Sequence, residues 1–143
     1  MEAHRVTARG HIFGANKPEL SEFDDLAIDS SEILVEFDGG HLLSMRVAWG
    51  LPSGFGMQGG EWLVGSEGHA QLVSKEIHLR TKAGREVVQP DPASGVCTNN
   101  LAEAIHGREQ VAATGKDGLE ALRVSLAALK SIEKDEPVLV ADV

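Results

Sequence analysis

From Ile33 to Phe37 the apolar residues Ile33, Val35 and Phe37 alternate with Leu34 and Glu36, and Glu32 precedes them, which is the period-two pattern of a half-buried strand. Leu34 blurs the alternation slightly. Asp38-Gly39-Gly40 comes next, and an Asp-Gly step supplies the positive φ angles of a two-residue hairpin turn. Beyond the turn, Leu43, Met45, Val47 and Trp49 alternate with Leu42, Ser44, Arg46 and Ala48, predicting a second strand with one strongly apolar face and one mixed face. Further short strands are expected at Trp62 to Val64, Ala70 to Val73, Glu76 to Arg80 and Arg85 to Gln89. Their connectors, Ser66-Glu67-Gly68, Ser74-Lys75 and Lys82-Ala83-Gly84, are short enough to join antiparallel neighbours into a meander. A weaker strand signal lies near Arg5 to Ile12, and the polar stretch Gly14 to Asp25 reads as a long connection.

After Pro90-Asp91-Pro92 the period changes. Leu101, Ala104 and Ile105 fit a short helix opened by Thr98 and closed by Gly107. Thr114-Gly115-Lys116-Asp117 matches a loose capping box ahead of a second helix. In that helix Leu119, Leu122, Leu126, Leu129 and Ile132 form the apolar stripe, with the small residues Ala121, Ser125 and Ala128 alongside to permit close approach to a sheet. Pro137 bars continuation and leaves Val138 to Val140 as a last strand. Strands, then helices, then one strand predict an α+β fold: an open-faced, mainly antiparallel sheet with helices packed on one face.

The length of 143 residues predicts a single domain over 1–143, against a prior of roughly 150 residues per domain. The formal net charge of −9 disfavours sequence-independent binding to nucleic acid or anionic lipid. Cys97 is the one cysteine, which excludes an intrachain disulfide and a multi-cysteine metal site; it reads as a small residue before a helix. Neither a signal-peptide core nor an apolar run of membrane-spanning length is found, so a cytoplasmic protein without membrane contact is expected.

Gly54-Phe55-Gly56-Met57-Gln58-Gly59 fits the G-x-G-x-x-G expression of dinucleotide sites. Trp62-Leu63-Val64 then leads into a strand, where a dinucleotide fold needs a helix N-terminus to meet the pyrophosphate. The stretch therefore reads as a glycine loop, and the aromatic residues Trp49, Phe55 and Trp62 around it are candidates for a pocket rim or an interface. The six histidines are too scattered for a local metal motif. His69, after a turn, is the candidate to reach a pocket, and His78 reads as a solvent-side strand residue.

The order Leu101-Ala-Glu-Ala-Ile-His-Gly, Thr114-Gly-Lys-Asp-Gly-Leu-Glu-Ala-Leu, a helix ending at Lys130-Ser131 and the strand Pro137-Val138-Leu139-Val140 resembles the C-terminal region of the Gfo/Idh/MocA oxidoreductases. The Ile33 to Phe37 hairpin and the Val64-Gly65-Ser66-Glu67-Gly68 turn are similar to that family's sheet as well. The resemblance implies the substrate-binding and oligomerisation domain of an NAD(P)-dependent sugar or polyol oxidoreductase, either excised or naturally separate from the N-terminal Rossmann domain. It also implies that this chain by itself has no catalytic residues and binds no cofactor, NAD(P) belonging to a full-length relative. Asn16-Lys17-Pro18 keeps the Lys-Pro of the family's catalytic Glu-Lys-Pro but lacks its glutamate, so Lys17 receives no role.

A half-covered sheet leaves apolar surface in water, and self-association is the economical way to bury it. A homo-oligomer through the sheet is expected, with Leu42, Trp49 or Trp62 as anchors. A standalone dimeric binding or scaffold module is the alternative.

Overall fold

The structure is a computed structural model that describes residues 2–52, 54–55, 60–89 and 97–143. It has the α+β, antiparallel class that the patterning predicts, but its strands form two four-stranded sheets. The chain divides into two compact units, Met1–Gly56 with Ala113–Val143, and Met57–Ala112.

In the first unit, β1 (Ala3–His11), β2 (Ser30–Phe37), β3 (Leu42–Ala48) and a short β8 (Val138–Leu139) stand in the order β3-β2-β1-β8, all antiparallel. The hairpin between β2 and β3 closes with the Phe37 N–H donating to the His41 carbonyl at 2.9 Å. Its loop is therefore the three residues Asp38-Gly39-Gly40 in place of the expected two, with φ of 93° at Gly39 and 81° at Gly40. Two consecutive residues with positive φ suit glycine, which has no Cβ to clash.

Helix α2 (Gly115–Lys134) packs on β1 and β8. Its N-terminus carries the expected capping box: the Asp117 N–H donates to Thr114 Oγ1, and the Thr114 N–H donates to Asp117 Oδ2. The Thr114 hydroxyl, which also donates to Asp117 Oδ2 at 2.7 Å, and then the Thr114 N–H hold the Asp117 carboxyl below its ordinary range. The core consists of Val6, Ala8, Val35, Val138 and Val140 against Ala127 and Ala128.

The helix turns a different face inward from the one its leucines suggested. Leu119, Leu122, Leu126 and Leu129 are 42–54% exposed, whereas Ala127 and Ser131 are fully buried. At about 100° per residue, the leucine row lies on the side opposite the alanine and serine row. Small side chains bring the helix close to the strands, and leucines on that side would hold it off.

Ser131 explains how so short a β8 is tolerated. Beyond Val6, β1 has no register partner on β8, and the Ala8 N–H donates instead to Ser131 Oγ at 2.9 Å. The same hydroxyl donates to the Glu136 carbonyl at 2.7 Å. One side chain thus replaces a missing rung of the sheet and ties down the segment after α2.

The sheet face away from α2 is ion-paired. Arg5 and Glu36 form a bidentate pair with contacts of 2.8 and 2.7 Å, and Arg46 meets Glu32. On the α2 side, Leu43 and Met45 lie opposite Val35 and Ile33 yet stay 46% and 43% exposed. Uncovered apolar surface of this unit therefore lies on the helix side as well, while the face expected to be bare carries these ion pairs beside the exposed Leu42.

In the second unit, β4 (Glu61–Gly65), β5 (Gly68–Val73), β6 (Glu76–Thr81) and β7 (Gly84–Val88) form the expected meander in the order β4-β5-β6-β7. Helix α1 (Cys97–Ile105) also belongs to this unit, beginning one residue before the expected Thr98 and ending near Gly107, whose φ of 71° fits a glycine cap. The Asn100 carboxamide accepts from the Ala112 N–H at 2.8 Å and donates to Glu109 and the Gln110 carbonyl, organising the segment after α1.

Candidate functional site

The four-stranded meander builds the site, because strict antiparallel register places its side chains in rungs. Trp62, Gln71, His78 and Val87 form one rung across β4 to β7, and Val64, His69, Arg80 and Arg85 form the next. Side chains alternate between faces along a strand, so both rungs share one face. The face surrounds an open cavity of about 280 Å³ whose described lining includes Trp62, His69, Gln71, His78, Arg80 and Arg85. That is near the lower end of small-ligand pockets, roughly 300–1,000 Å³.

The Trp62 and His69 rings stand 5.2 Å apart between centroids with an interplanar angle of 55°. Trp62 is half-exposed and His69 half-buried, which leaves an aromatic wall facing the cavity. At the far side, Glu76 accepts from Gln89 Nε2 at 2.7 Å and lies 3.3 Å from His78 Nε2. The Gln89 amide first, then His78, hold the Glu76 carboxyl below its ordinary range.

Arg80 and Arg85 face each other across β6 and β7. Like charges directly opposite on neighbouring strands are destabilising. Among the described residues the other five arginines are each ion-paired with a carboxylate, and these two are not. Glu86 also lines the cavity, but it belongs to the opposite face of β7, in register with Leu79. Gly68 underlies the arrangement: a Cβ there would meet the Arg80 carbonyl oxygen at 2.0 Å, so the approach of β5 to β6 beside Arg80 requires glycine.

Of the four residues singled out in the sequence, Trp62 and His69 come together here. Trp49 and Phe55 belong to the first unit, 82% and 75% exposed, and are not among the described lining. His78, read as a solvent-side residue, is exposed and joins the cavity. The arginine pair was missed. A signal for it was present: Arg80 and Arg85 flank the Lys82-Ala83-Gly84 turn at a spacing that sets them opposite each other once the hairpin closes.

The dinucleotide expression at 54–59 falls partly outside the described residues. Glu61–Gly65, immediately beyond it, is a strand, so no helix N-terminus is presented there to a pyrophosphate. The described residues of this stretch do not form a helix-based dinucleotide cradle. Among the described residues there is no cluster of three metal-ligating side chains, and no helix is long and apolar enough to cross a membrane.

No family model matches the chain, and no curated protein matches it at a significant level. Solved structures do. A Thermotoga maritima protein whose oxidoreductase assignment is provisional matches with a TM-score of 0.76 at 16% identity, covering 96% of this chain and 41% of that one. An Agrobacterium radiobacter oxidoreductase solved with NAD+, L-tartaric acid and magnesium matches with a TM-score of 0.74 at 14% identity, over 99% and 44% of the two chains. An aldose-aldose oxidoreductase from Caulobacter crescentus, complexed with glycerol, gives 0.73 at 17% identity, over 96% and 41%. These neighbours are oxidoreductases of the Gfo/Idh/MocA type, and this chain has the fold of one portion of them. It spans about two-fifths of their length.

Proposed function

We propose that this chain is the C-terminal substrate-binding and oligomerisation domain of an NAD(P)-dependent sugar or polyol oxidoreductase, and that hydride transfer requires a nucleotide-binding domain outside these residues. The observation that carries the reading is the near-complete match of this chain to two-fifths of several oxidoreductases. The strand that replaces a nucleotide-binding helix after Gly60 supports it, as does a cavity sized for a small molecule. On this reading, Trp62 and His69 shape the substrate pocket and the domain works in the cytoplasm.

The uncovered apolar surface of the first unit supports a covering partner, because the leucine row of α2 and the β3 side chains Leu43 and Met45 are left in water. Either the nucleotide-binding domain or a second copy of the chain serves. Titrating NAD(H) and NADP(H) against the chain alone tests the reading: no saturation at micromolar concentration is expected, and a saturable nucleotide site of its own overturns it.

The second reading is a dimeric binding or scaffold module without redox activity, favoured by the same leucine row if a second copy covers it. The reading frame immediately upstream separates the two. An in-frame strand, glycine-rich turn and helix supports the oxidoreductase domain, and a separate start of transcription and translation supports the module.

A further inference from the structure

We propose that the β4–β7 face carrying Trp62 and His69 binds the oxyanion of a small sugar derivative, a sugar carboxylate or sugar phosphate, between Arg80 and Arg85. Its use as a substrate subsite rests on the domain reading above; the binding itself rests on the geometry of this face.

The chain has a net charge of −9 and carboxylates in excess, yet two arginines stand in register on neighbouring strands with no carboxylate partner among the described residues. His69 is the next member of the same rung, which adds its ring nitrogens to the same cavity lining. A sheet that only had to fold would gain by replacing either arginine. An oxyanion between them turns the repulsion into two charge-assisted, fork-shaped contacts, the geometry for which arginine is suited.

The neighbouring carboxylates do not relieve the pair. Glu76 is engaged by Gln89 and His78, Glu67 lies 3.6 Å from Lys82, and Glu86 belongs to the other face of the sheet. The remaining wall defines what is attached to the anion. The Trp62 and His69 rings offer an apolar surface for the C–H side of a sugar ring, and Gln71 supplies a carboxamide for a hydroxyl. A cavity of about 280 Å³ suits a monosaccharide rather than a dinucleotide.

Isothermal titration of the whole chain with glucuronate, glucose 6-phosphate and neutral glucose tests the proposal. One or both anions should saturate at least about tenfold more tightly than glucose, and the preferred anion assigns carboxylate or phosphate. Arg80→Gln and Arg85→Gln should each weaken binding by about tenfold or more, as expected for loss of one charge-assisted contact. Lys116→Gln, which removes one positive charge at the start of α2 in the first unit, should leave it unchanged. Added salt should weaken the anions and not glucose. Circular dichroism of each variant checks that the sheet persists. Equal affinity for glucose, no loss in the arginine variants, or no saturation by either anion overturns the site.

The nucleotide titration repeated on the Arg80→Gln/Arg85→Gln chain separates this proposal from the domain reading. Nucleotide binding that survives there overturns the domain reading and leaves the anion site standing. Failure of the sugar anions to bind overturns the anion site and leaves the domain reading standing.

Discussion

The two units are built from the same element, a four-stranded antiparallel sheet, and stabilise it differently. In the first, α2 covers β1 and β8, and among the described residues every fully buried side chain belongs to this unit. The β4–β7 meander has no buried side chain among its described residues; its order comes from hairpin register and cross-strand pairs. A core fixes side chains by packing and tolerates little change. An open sheet face is free to carry groups that cost stability, and there the opposed arginines stand.

Substitutions that empty space should divide the units most sharply. Val6→Ala removes two methyl groups from a fully buried position and should cost about 2–3 kcal/mol, whereas Leu72→Ala, already 39% exposed, should cost less than about 1 kcal/mol. Urea denaturation with hydrogen exchange on both sheets reads the difference, and equal costs would remove the contrast.

Next come two substitutions of single small residues. Ser131→Ala leaves the buried Ala8 N–H without its acceptor and should cost about 1–3 kcal/mol, with faster exchange at Ala8 as its signature. Gly68→Ala drives a Cβ against the Arg80 carbonyl and should cost about 1–3 kcal/mol, registered as lost protection in β5 and β6 while β1 and β2 keep theirs. Spread of that loss into β1 would contradict the division.

Acid probes a smaller effect. Asp29 is subject to a desolvation that raises its pKa, but the N–H groups of Phe13 and Gly14, each 2.8 Å from a carboxylate oxygen, and the charge of Lys17 prevail and lower it. A depressed folded-state value means the stabilisation is present above the unfolded pKa of about 3.9 and is lost as pH falls through the folded value. Asp29→Asn should therefore be less stable than the parent at neutral pH, with the gap closing below about pH 4. A gap independent of pH would show that the carboxylate charge is not what holds the turn.

The smallest change in stability is expected on the exposed leucine row of α2. Leu122→Lys with Leu126→Lys alters exposed positions and should shift stability within about 0.5 kcal/mol per site. If this row is the covered surface, the same variant abolishes self-association or docking of a nucleotide-binding domain in analytical ultracentrifugation. Unchanged assembly places the contact elsewhere.

The β2–β3 hairpin, the meander and the Thr114 cap were legible because each depends on residues close together in sequence: alternation, a glycine turn, a hydroxyl three positions from a carboxylate. The same local signals misjudged the hairpin loop by one residue, since Asp-Gly and Asp-Gly-Gly both supply positive φ. Trp62 and His69 were legible as candidates because one neighbours the glycine stretch and the other follows a turn. Their partnership with Arg80 and Arg85 was not, since register across three hairpins had to be fixed first.

The sequence by itself determined the kind and order of the strands and helices, with ends shifted by a residue or two, and which residues share a face, because periodicity and capping act over a few residues. The tertiary structure decided which face is buried, how the strands divide between two sheets, and which side chains meet across them. Periodicity marks α2 with a leucine row flanked by Ala121, Ser125 and Ala128, and only packing against β1 turns Ala127, Ala128 and Ser131 inward and leaves Ala121 and Ser125 exposed. In the same way, charge counting leaves two arginines among thirteen basic residues, and strand register sets them opposite each other on one open face.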